Sequence, residues 1–405
     1  MSKSVTIIGA GPAGMTAALF AARAGAQVRL IDSNAMSGRK LLVTGSGRAN
    51  LTNQQMDAKY YTCADAAWME SLLGQFGHKE LIQFLNTTGV LTFATSDGWC
   101  YPISESAQTV ADAFSNALDL SGVELVLDTT IKTIQKKPQG FNLVADAGKA
   151  FNCDHLIVAV GGKAYPTLGS RGELFQSLKN LGHQVIPLSP ALAPVTCEMQ
   201  PYKKLQGIRL DARVGLYEGK EMIAESFGNL IFTQWGINGP AVMDLSHHIS
   251  TRAKASFELR LNLLHTNEAA IRRLIDNQQS SPTPLRILLG AVLPPKVPSV
   301  ILPMAGFLPE MHINELSNLQ IENLIKLLTN LTFKVTGVRG FEYCQVSAGG
   351  VPVSEVDPAN MQSRIVPSLA LAGETLDVVG PCGGYNLQFA FSSGAVAGMH
   401  ICDQR

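Results

Sequence analysis

The feature that most constrains how this chain can fold is the run SVTIIGAGPAGMTAALFAARAG, residues 4–25. Val5, Thr6, Ile7 and Ile8 are β-branched and favour a strand. The alanine-rich stretch after them favours a helix, and Gly25 offers it a stop. Between the two stand Gly9, Gly11 and Gly14, a GxGxxG spacing. In a strand-to-helix turn the first glycine permits the tight turn, the second lets a pyrophosphate approach the backbone, and the third brings helix against strand. Pro12 and Ala13 would open the helix, whose free amides and positive end attract phosphate. A second strand, AQVRLID, ends on Asp32, placed to accept hydrogen bonds from an adenosine ribose. Strand, helix, strand and acid within about 30 residues predict a dinucleotide-binding βαβ unit.

At 405 residues and 46% hydrophobic side chains, the chain can fill two or three domains. Lysine plus arginine equals aspartate plus glutamate at 32 each, so no basic coat announces a nucleic-acid binder and DNA is not expected as a partner. Seven cysteines without CxxC or CxxH spacing predict neither a disulfide framework nor a metal site, and read as reduced and cytoplasmic. The N-terminus enters a strand at once, with no charged leader and apolar segment of the secretory kind. The most apolar stretch, residues 285–309, is broken by Lys296 and by Pro294, Pro295, Pro298 and Pro303, so no membrane span is expected. None of this speaks to oligomeric state.

After a polar and helical region at roughly 50–120, GVELVLDT reads as a strand, and TIKTIQK, GFNLVADA and KAFNCD as a small antiparallel meander. HLIVAVGG then reads as a buried return strand of a parallel sheet. This order suits an FAD domain of the glutathione-reductase type better than a plain NAD domain. Short alternating runs beyond SPALAP predict an inserted β-barrel at 191–265, and residues 266–332 read as a helical subdomain. The glycine-rich strand-and-helix pattern returns from 333. The expected class is α/β: a Rossmann FAD-binding domain, 1–190 and 333–405, interrupted by the barrel and the helices.

The later glycines extend the cofactor site. Gly161 ends the return strand, and Gly373 with Glu374 ends a later one, where FAD domains place an acid near the ribityl chain. The run GGYNLQFAF would start a helix at Gly384, Tyr385, Asn386 and Leu387, with free amides able to stabilise charge on reduced flavin. Glycines kept only for close packing would give the same letters. The polar loop LLVTGSGRANLTN contributes Thr44, Gly45, Gly47, Arg48 and Asn50; an arginine fork suits a pyrophosphate or a carbonyl, and Asn offers both donor and acceptor. Arg39 and Lys40 are within reach of phosphate, and Ile131 in the meander completes the set. With a single GxGxxG and no paired redox cysteines, no separate NAD domain is expected. NADH or NADPH would act as a transient reductant from the substrate side.

Together SGRKLLVTGSGRANLTN, AVGGKAYPTLGSRGELF, SPALAPV, FTQWGINGPAVMDLS, VSAGGVPVSEV and LAGETLDVVGPCGGYNLQFAFSSG resemble the BaiN/RdsA-like family of NAD(P)/FAD-dependent oxidoreductases, over nearly the whole chain and in the family's order. The resemblance implies an FAD domain built from both chain ends, with inserted barrel and helices. It also implies a reductase of a conjugated C=C: uridine to dihydrouridine in large-subunit (23S) ribosomal RNA in one branch, unsaturated bile-acid intermediates in another. A non-catalytic RNA-binding flavoprotein is the reading of a different class. Three motifs depart from the family pattern: Ala49 stands where GRCN has cysteine, FTHxGxSGP becomes FTQWGINGP with Gln234 and Asn238, and LDVDG becomes LDVVG with Val379.

The proton donor is not identifiable from these letters. Tyr385 and Cys382 flank the turn expected to face flavin, and Cys344 precedes QVSAGG; a buried tyrosine bonded to backbone or a packing cysteine would look the same. His247 and His248 read as a solvated helix face. Lys203, Lys204 and Arg209, beside Tyr202, form a small basic patch able to meet RNA phosphates, or an ordinary solvated surface.

Overall fold

The computed structural model describes residues 3–146, 148–252 and 254–403. Contacts divide the chain into two units, Met1–Ser189 with Gln345–Arg405, and Pro190–Cys344. The first unit holds a five-stranded sheet in the order Leu369–Leu371, His155–Val158, Ser4–Ile8, Gln27–Ile31, Glu124–Val126. Every neighbouring pair in it is parallel. A parallel sheet needs both faces covered, and Ile7, Leu30, Leu156 and Leu371 are fully buried. The opening helix, Pro12–Arg23, ends before Gly25, whose φ of +85° with open space around it makes it a stop rather than a packing site.

The closing helix, Tyr385–His400, packs on the opening one at backbone distance. A Cβ on Gly394 would fall 2.2 Å from the Ala13 carbonyl oxygen, and one on Gly398 2.4 Å from that of Ala17. These two contacts advance in the same direction along both helices, so the helices run parallel and their positive ends point the same way. The meander forms as expected from Ile131–Lys136, Phe141–Ala145 and Ala150–Cys153. Within the expected helical region at 50–120, three helices do form, but Thr52–Asn53, Trp99–Pro102 and Thr92–Ala94 make a small antiparallel sheet. Its strands are too short to show a period of two.

In the second unit six strands close a barrel: Val195–Cys197, Gly236–Asn238, Glu221–Phe232, Arg209–Glu218, Phe257–Asn262 and Leu331–Val338. The last of these includes residue 333, where the sequence reading resumes the nucleotide-binding domain; the return to the first unit instead falls at Gln345. Leu331–Val338 pairs with both Phe257–Asn262 and Val195–Cys197, so without it the barrel would be left with two open edges. The helices between 268 and 329 share a single apolar core with the barrel, through Ile271, Leu289, Ile301, Leu324 and Phe333 among others.

Candidate active site

Each glycine of the opening turn meets a different demand. Gly9 has φ +102°, and a Cβ there would lie 2.3 Å from the Ala159 carbonyl oxygen. On Gly14 a Cβ would lie 1.8 Å from the carbonyl oxygen of Gly9. Gly11 has an ordinary φ of −79°, and a Cβ on it would meet nothing within 4 Å. The protein itself does not require glycine at position 11, and the space beside its backbone is open to a group from outside. No side chain caps the helix that starts at Pro12, so its first amides face that same open space.

Asp32 directly follows the second strand, Gln27–Ile31, and organises the corner beside this turn. Its Oδ2 accepts from the Ala10 amide at 2.6 Å, and its Oδ1 from the Asn34 amide and side chain, each at 2.8 Å. A carboxylate offers about four lone-pair sites, so acceptor capacity remains. Asn34 in turn holds Arg39 at 2.8 Å and donates to the Leu168 carbonyl at 3.2 Å. The Thr129 amide donates to the Asp32 carbonyl at 2.9 Å, which brings Ile131 to the same corner as a buried strand residue. Gly161, with φ +74°, stands just beyond the His155–Val158 strand.

The loop from Thr44 to Asn50 is held in left-handed backbone at Gly45, Ser46, Gly47 and Ala49, with φ of 55°, 58°, 86° and 59°. Such a run folds the chain tightly enough that a Cβ on Gly45 would sit 2.8 Å from the Asn50 amide nitrogen. Thr44 closes onto the Leu41 carbonyl at 2.6 Å. Arg48 stacks on Tyr101, 4.5 Å from the ring centre, and is half exposed beside Glu105 at 3.4 Å. Asn50 is 7% exposed, and its Oδ1 is buried without a hydrogen-bond partner. A buried orphan acceptor is costly unless a ligand satisfies it. Ala49, where the family pattern has cysteine, is fully buried in left-handed backbone and supplies no polar group.

Lys40 and Glu374 are drawn together across the sequence, Nζ to Oε2 at 2.7 Å. The other Glu374 oxygen accepts from the Ser347 amide at 2.7 Å, and the Ser347 hydroxyl accepts from the Lys163 amide at 2.8 Å. Gly162 leaves room for both, since a Cβ there would be 2.6 Å from Glu374 Oε1. The Lys40 charge, read from sequence as a phosphate contact, is thus committed to Glu374. Gly373, at φ +64°, follows the Leu369–Leu371 strand, and its amide donates to Ser393 Oγ at 2.8 Å.

Gly384, in left-handed backbone, starts the closing helix without a side-chain cap, so the first amides of that helix, including those of Asn386 and Leu387, have no side-chain acceptor there. The Asn386 side chain is not part of this opening: it binds both the amide and the carbonyl of Gly380, at 2.9 and 2.7 Å, and shapes the turn before the helix. Sequence reasoning missed two residues here. Asn53 donates to the Gly383 carbonyl at 3.0 Å, and the Trp99 indole lies where a Gly383 Cβ would be, 2.8 Å away. Asn53 ends the very motif that drew attention to Asn50; Trp99 carried no signal.

The structure uses the suggested proton donors otherwise. Tyr385 is 6% exposed, its ring packs edge-on against Tyr60 and Tyr61, and its hydroxyl points to the Gln55 carbonyl at 3.4 Å. Cys344 is fully buried in the second unit, with its thiol toward the Phe341 carbonyl at 3.6 Å. Cys382 is half-buried in the turn before the closing helix. His247 does not lie on a solvated face: it is 8% exposed, and burial first, then the neighbouring His248, push its pKa down to about 4. Helix Ser246–Ser250 is too short to show which side it buries.

The uncapped opening helix, the cradle at Gly11, the Asp32 corner, the orphan Asn50 acceptor and the uncapped closing helix all belong to the first unit, and they fit a dinucleotide cofactor of FAD type. Such a fold and site define a flavin-dependent oxidoreductase with a Rossmann-type domain. The family model described as HI0933-like protein Rossmann domain matches residues 3–400, and the chain belongs to that family. It is 34% identical to a 3-dehydro-bile acid delta(4,6)-reductase of Clostridium scindens, over 97% of this chain and 98% of that one. It is 30% identical to a ribosomal RNA dihydrouridine synthase of Escherichia coli, over 96% of this chain and 95% of the relative. Among solved structures, a 3-ketosteroid delta1-dehydrogenase from Sterolibacterium denitrificans shares the fold with a TM-score of 0.54 at 11% identity, covering 99% of each chain. No helix among the described residues is long and apolar enough to cross a membrane.

Proposed function

We propose that the protein reduces a carbon–carbon double bond conjugated to a carbonyl, with FAD held by the first unit and NADH or NADPH as the source of electrons. Bound FAD supplies the hydride. The observation that carries the site is the pair of uncapped, parallel helices whose positive ends point the same way. The opening helix receives the pyrophosphate against Gly11. Nine residues separate Tyr385 from Gly394, the partner of Ala13, so the closing helix extends roughly 13 Å further toward that side. Its amides are then placed for the ring end of the cofactor, where they stabilise negative charge. Asn50 offers its unpartnered Oδ1 to an N–H of the cofactor, and Arg48 supplies a cation at the rim.

Uridine of large-subunit ribosomal RNA is the substrate we put first. Both kinds of relative are named for reduction of such a bond, and Lys203, Lys204 and Arg209 in the second unit are exposed without an ion-pair partner among the described residues. Phosphate contacts need groups of that kind. A small unsaturated carbonyl compound is the second reading, favoured by the 34% identity to the bile-acid reductase. Mapping dihydrouridine in a deletion strain separates the two. Loss of one site, restored by the wild type but not by a flavin-free variant, supports the first. Unchanged ribosomal RNA together with NAD(P)H-driven turnover of enones supports the second. A purified protein that takes up no flavin on reconstitution would refute both.

A further inference from the structure

The second unit holds one arginine that the fold immobilises but gives nothing to bind. The Arg339 guanidinium carbon lies 3.3 Å from the Tyr343 ring centre and 4.8 Å from that of Trp235. Backbone bonds fix all three residues at one end of the barrel: the Arg339 amide donates to the Pro194 carbonyl at 2.9 Å, the Cys197 amide to the Trp235 carbonyl at 3.1 Å, and the Tyr343 amide to the Gly340 carbonyl at 2.9 Å. Arg339 and Trp235 are half-buried, and Tyr343 is 45% exposed. Among the described residues the guanidinium makes no hydrogen bond and no ion pair, although Glu342 is close in sequence.

Among the described residues of the unit Arg209 and Arg273 also lack an ion pair, but neither is held by a ring; Arg339 is the one that is stacked and still unpaired. Arg213, Arg252, Arg260, Arg272 and Arg286 are each paired with a glutamate. Arg260 is the instructive comparison. It also stacks on a ring, Tyr217 at 3.9 Å, but its fork is spent on Glu258 at 3.3 Å and the Gly219 carbonyl at 3.2 Å. That is an arginine used as structure. In Arg339 the rings desolvate and orient the planar cation while leaving its N–H edge without an acceptor. Ordering a long side chain before the ligand arrives removes a cost that binding would otherwise bear, and a fixed fork selects a planar or tetrahedral oxyanion over a neutral group.

We propose that Arg339, held by Trp235 and Tyr343, is an oxyanion subsite that takes a phosphate or carboxylate group carried by the substrate. The assignment of that anion to the substrate rests on the reductase reading above; the binding of an oxyanion does not. A phosphodiester and a small carboxylic acid share this chemistry, so the test uses both.

Trp235 reports on the site directly. Purified full-length protein is titrated with inorganic phosphate, uridine 5′-monophosphate, acetate and a carboxylate-tailed steroid, with uridine and the corresponding steroid alcohol as uncharged controls, while tryptophan fluorescence is followed. The expected result is a saturable change with at least one oxyanion and none with its uncharged control. That change disappears in Trp235→Phe, and its midpoint moves about ten- to hundredfold higher in Arg339→Met, whose apolar stem can still occupy the space between the rings. Arg339→Lys, which keeps the charge but loses the fork, falls between them. Preference for the phosphate pair or the carboxylate pair identifies the source. Equal midpoints in wild type and Arg339→Met, or no response to any oxyanion in wild-type protein that binds flavin, would overturn the proposal. If the oxyanion titrates normally but no conjugated C=C is reduced, the reductase reading fails and the subsite stands. If an enone is reduced and Arg339→Met raises KM equally for charged and uncharged substrates, the subsite fails and the reductase reading stands.

Discussion

Gly11 and Gly14 are three residues apart, yet the structure makes opposite demands on them. Gly14→Ala drives a methyl group into the Gly9 carbonyl, 1.8 Å away, and should cost about 3 kcal/mol or more, with the apo protein melting markedly earlier. Gly11→Ala meets nothing and strains nothing, so apo melting should stay within about 2 °C of wild type while FAD affinity falls at least tenfold. Calorimetry of apo protein beside a flavin titration checks both; a Gly11→Ala protein that binds FAD normally would remove the cradle. His247 carries a second residue-scale expectation. Its pKa is about 4 in the fold against an ordinary 6.5, so the unfolded chain binds the extra proton between those values. Stability should therefore be intact above about pH 6.5 and decline as pH falls toward 4. His248 and Arg252 push the same way and the Asp244 backbone opposes them. Melting temperature against pH should flatten in His247→Gln. An unchanged slope would place the acid sensitivity elsewhere.

The closing helix shows what an element can reveal and what it hides. Its glycines at 394 and 398 are spaced for close approach to another helix, and they meet Ala13 and Ala17. Gly398→Ala should cost about 1–3 kcal/mol through overpacking at a place remote from the cofactor turn, lowering the melting temperature while leaving flavin stoichiometry at one per chain. Loss of flavin without loss of stability would mean that this helix is set by the cofactor rather than by its packing. The βαβ unit, the meander and this helix were legible because strands of four to six residues with β-branched or alternating side chains, and a regular glycine spacing, carry their own period. The Thr52–Asn53, Thr92–Ala94 and Trp99–Pro102 strands were not, being two to four residues each, the first of them paired with a strand more than 40 positions away. Leu331–Val338 was misplaced for a related reason: its pattern reads as a strand, but only pairing tells which sheet receives it. Within the site, the loop was readable as polar and permissive, whereas the commitment of Lys40 to Glu374 joins residues that no local spacing relates, and that of Asn386 to Gly380 depends on how one short turn closes.

At the scale of the molecule, the two apolar cores have no residue in common: one is built from residues up to 188 and beyond 350, the other from 195 to 338. The crossing segments Ile186–Ala191 and Val346–Gly350 pair as neighbouring strands, so the first unit is already closed where the second is inserted. Replacing residues 192–344 by a short glycine linker should then give a chain that folds cooperatively and takes up FAD, as seen by flavin absorbance and a single melting transition. An insoluble product, compared with a circular permutant that retains both parts, would show that the units depend on each other. By itself the sequence determined the cofactor class, because a GxGxxG turn between strand and helix leaves backbone amides and room for little except a pyrophosphate. An insertion was expected because the glycine-rich strand-and-helix pattern gives way to short alternating runs and then returns. Only the tertiary structure decided which polar groups are spent and which are open. That distinction rests on which groups the folded chain pairs and desolvates: it leaves Asn50 and Arg339 without an acceptor or donor partner, closes Asn386 within its own turn, and closes Lys40 and Tyr385 across more than 300 residues.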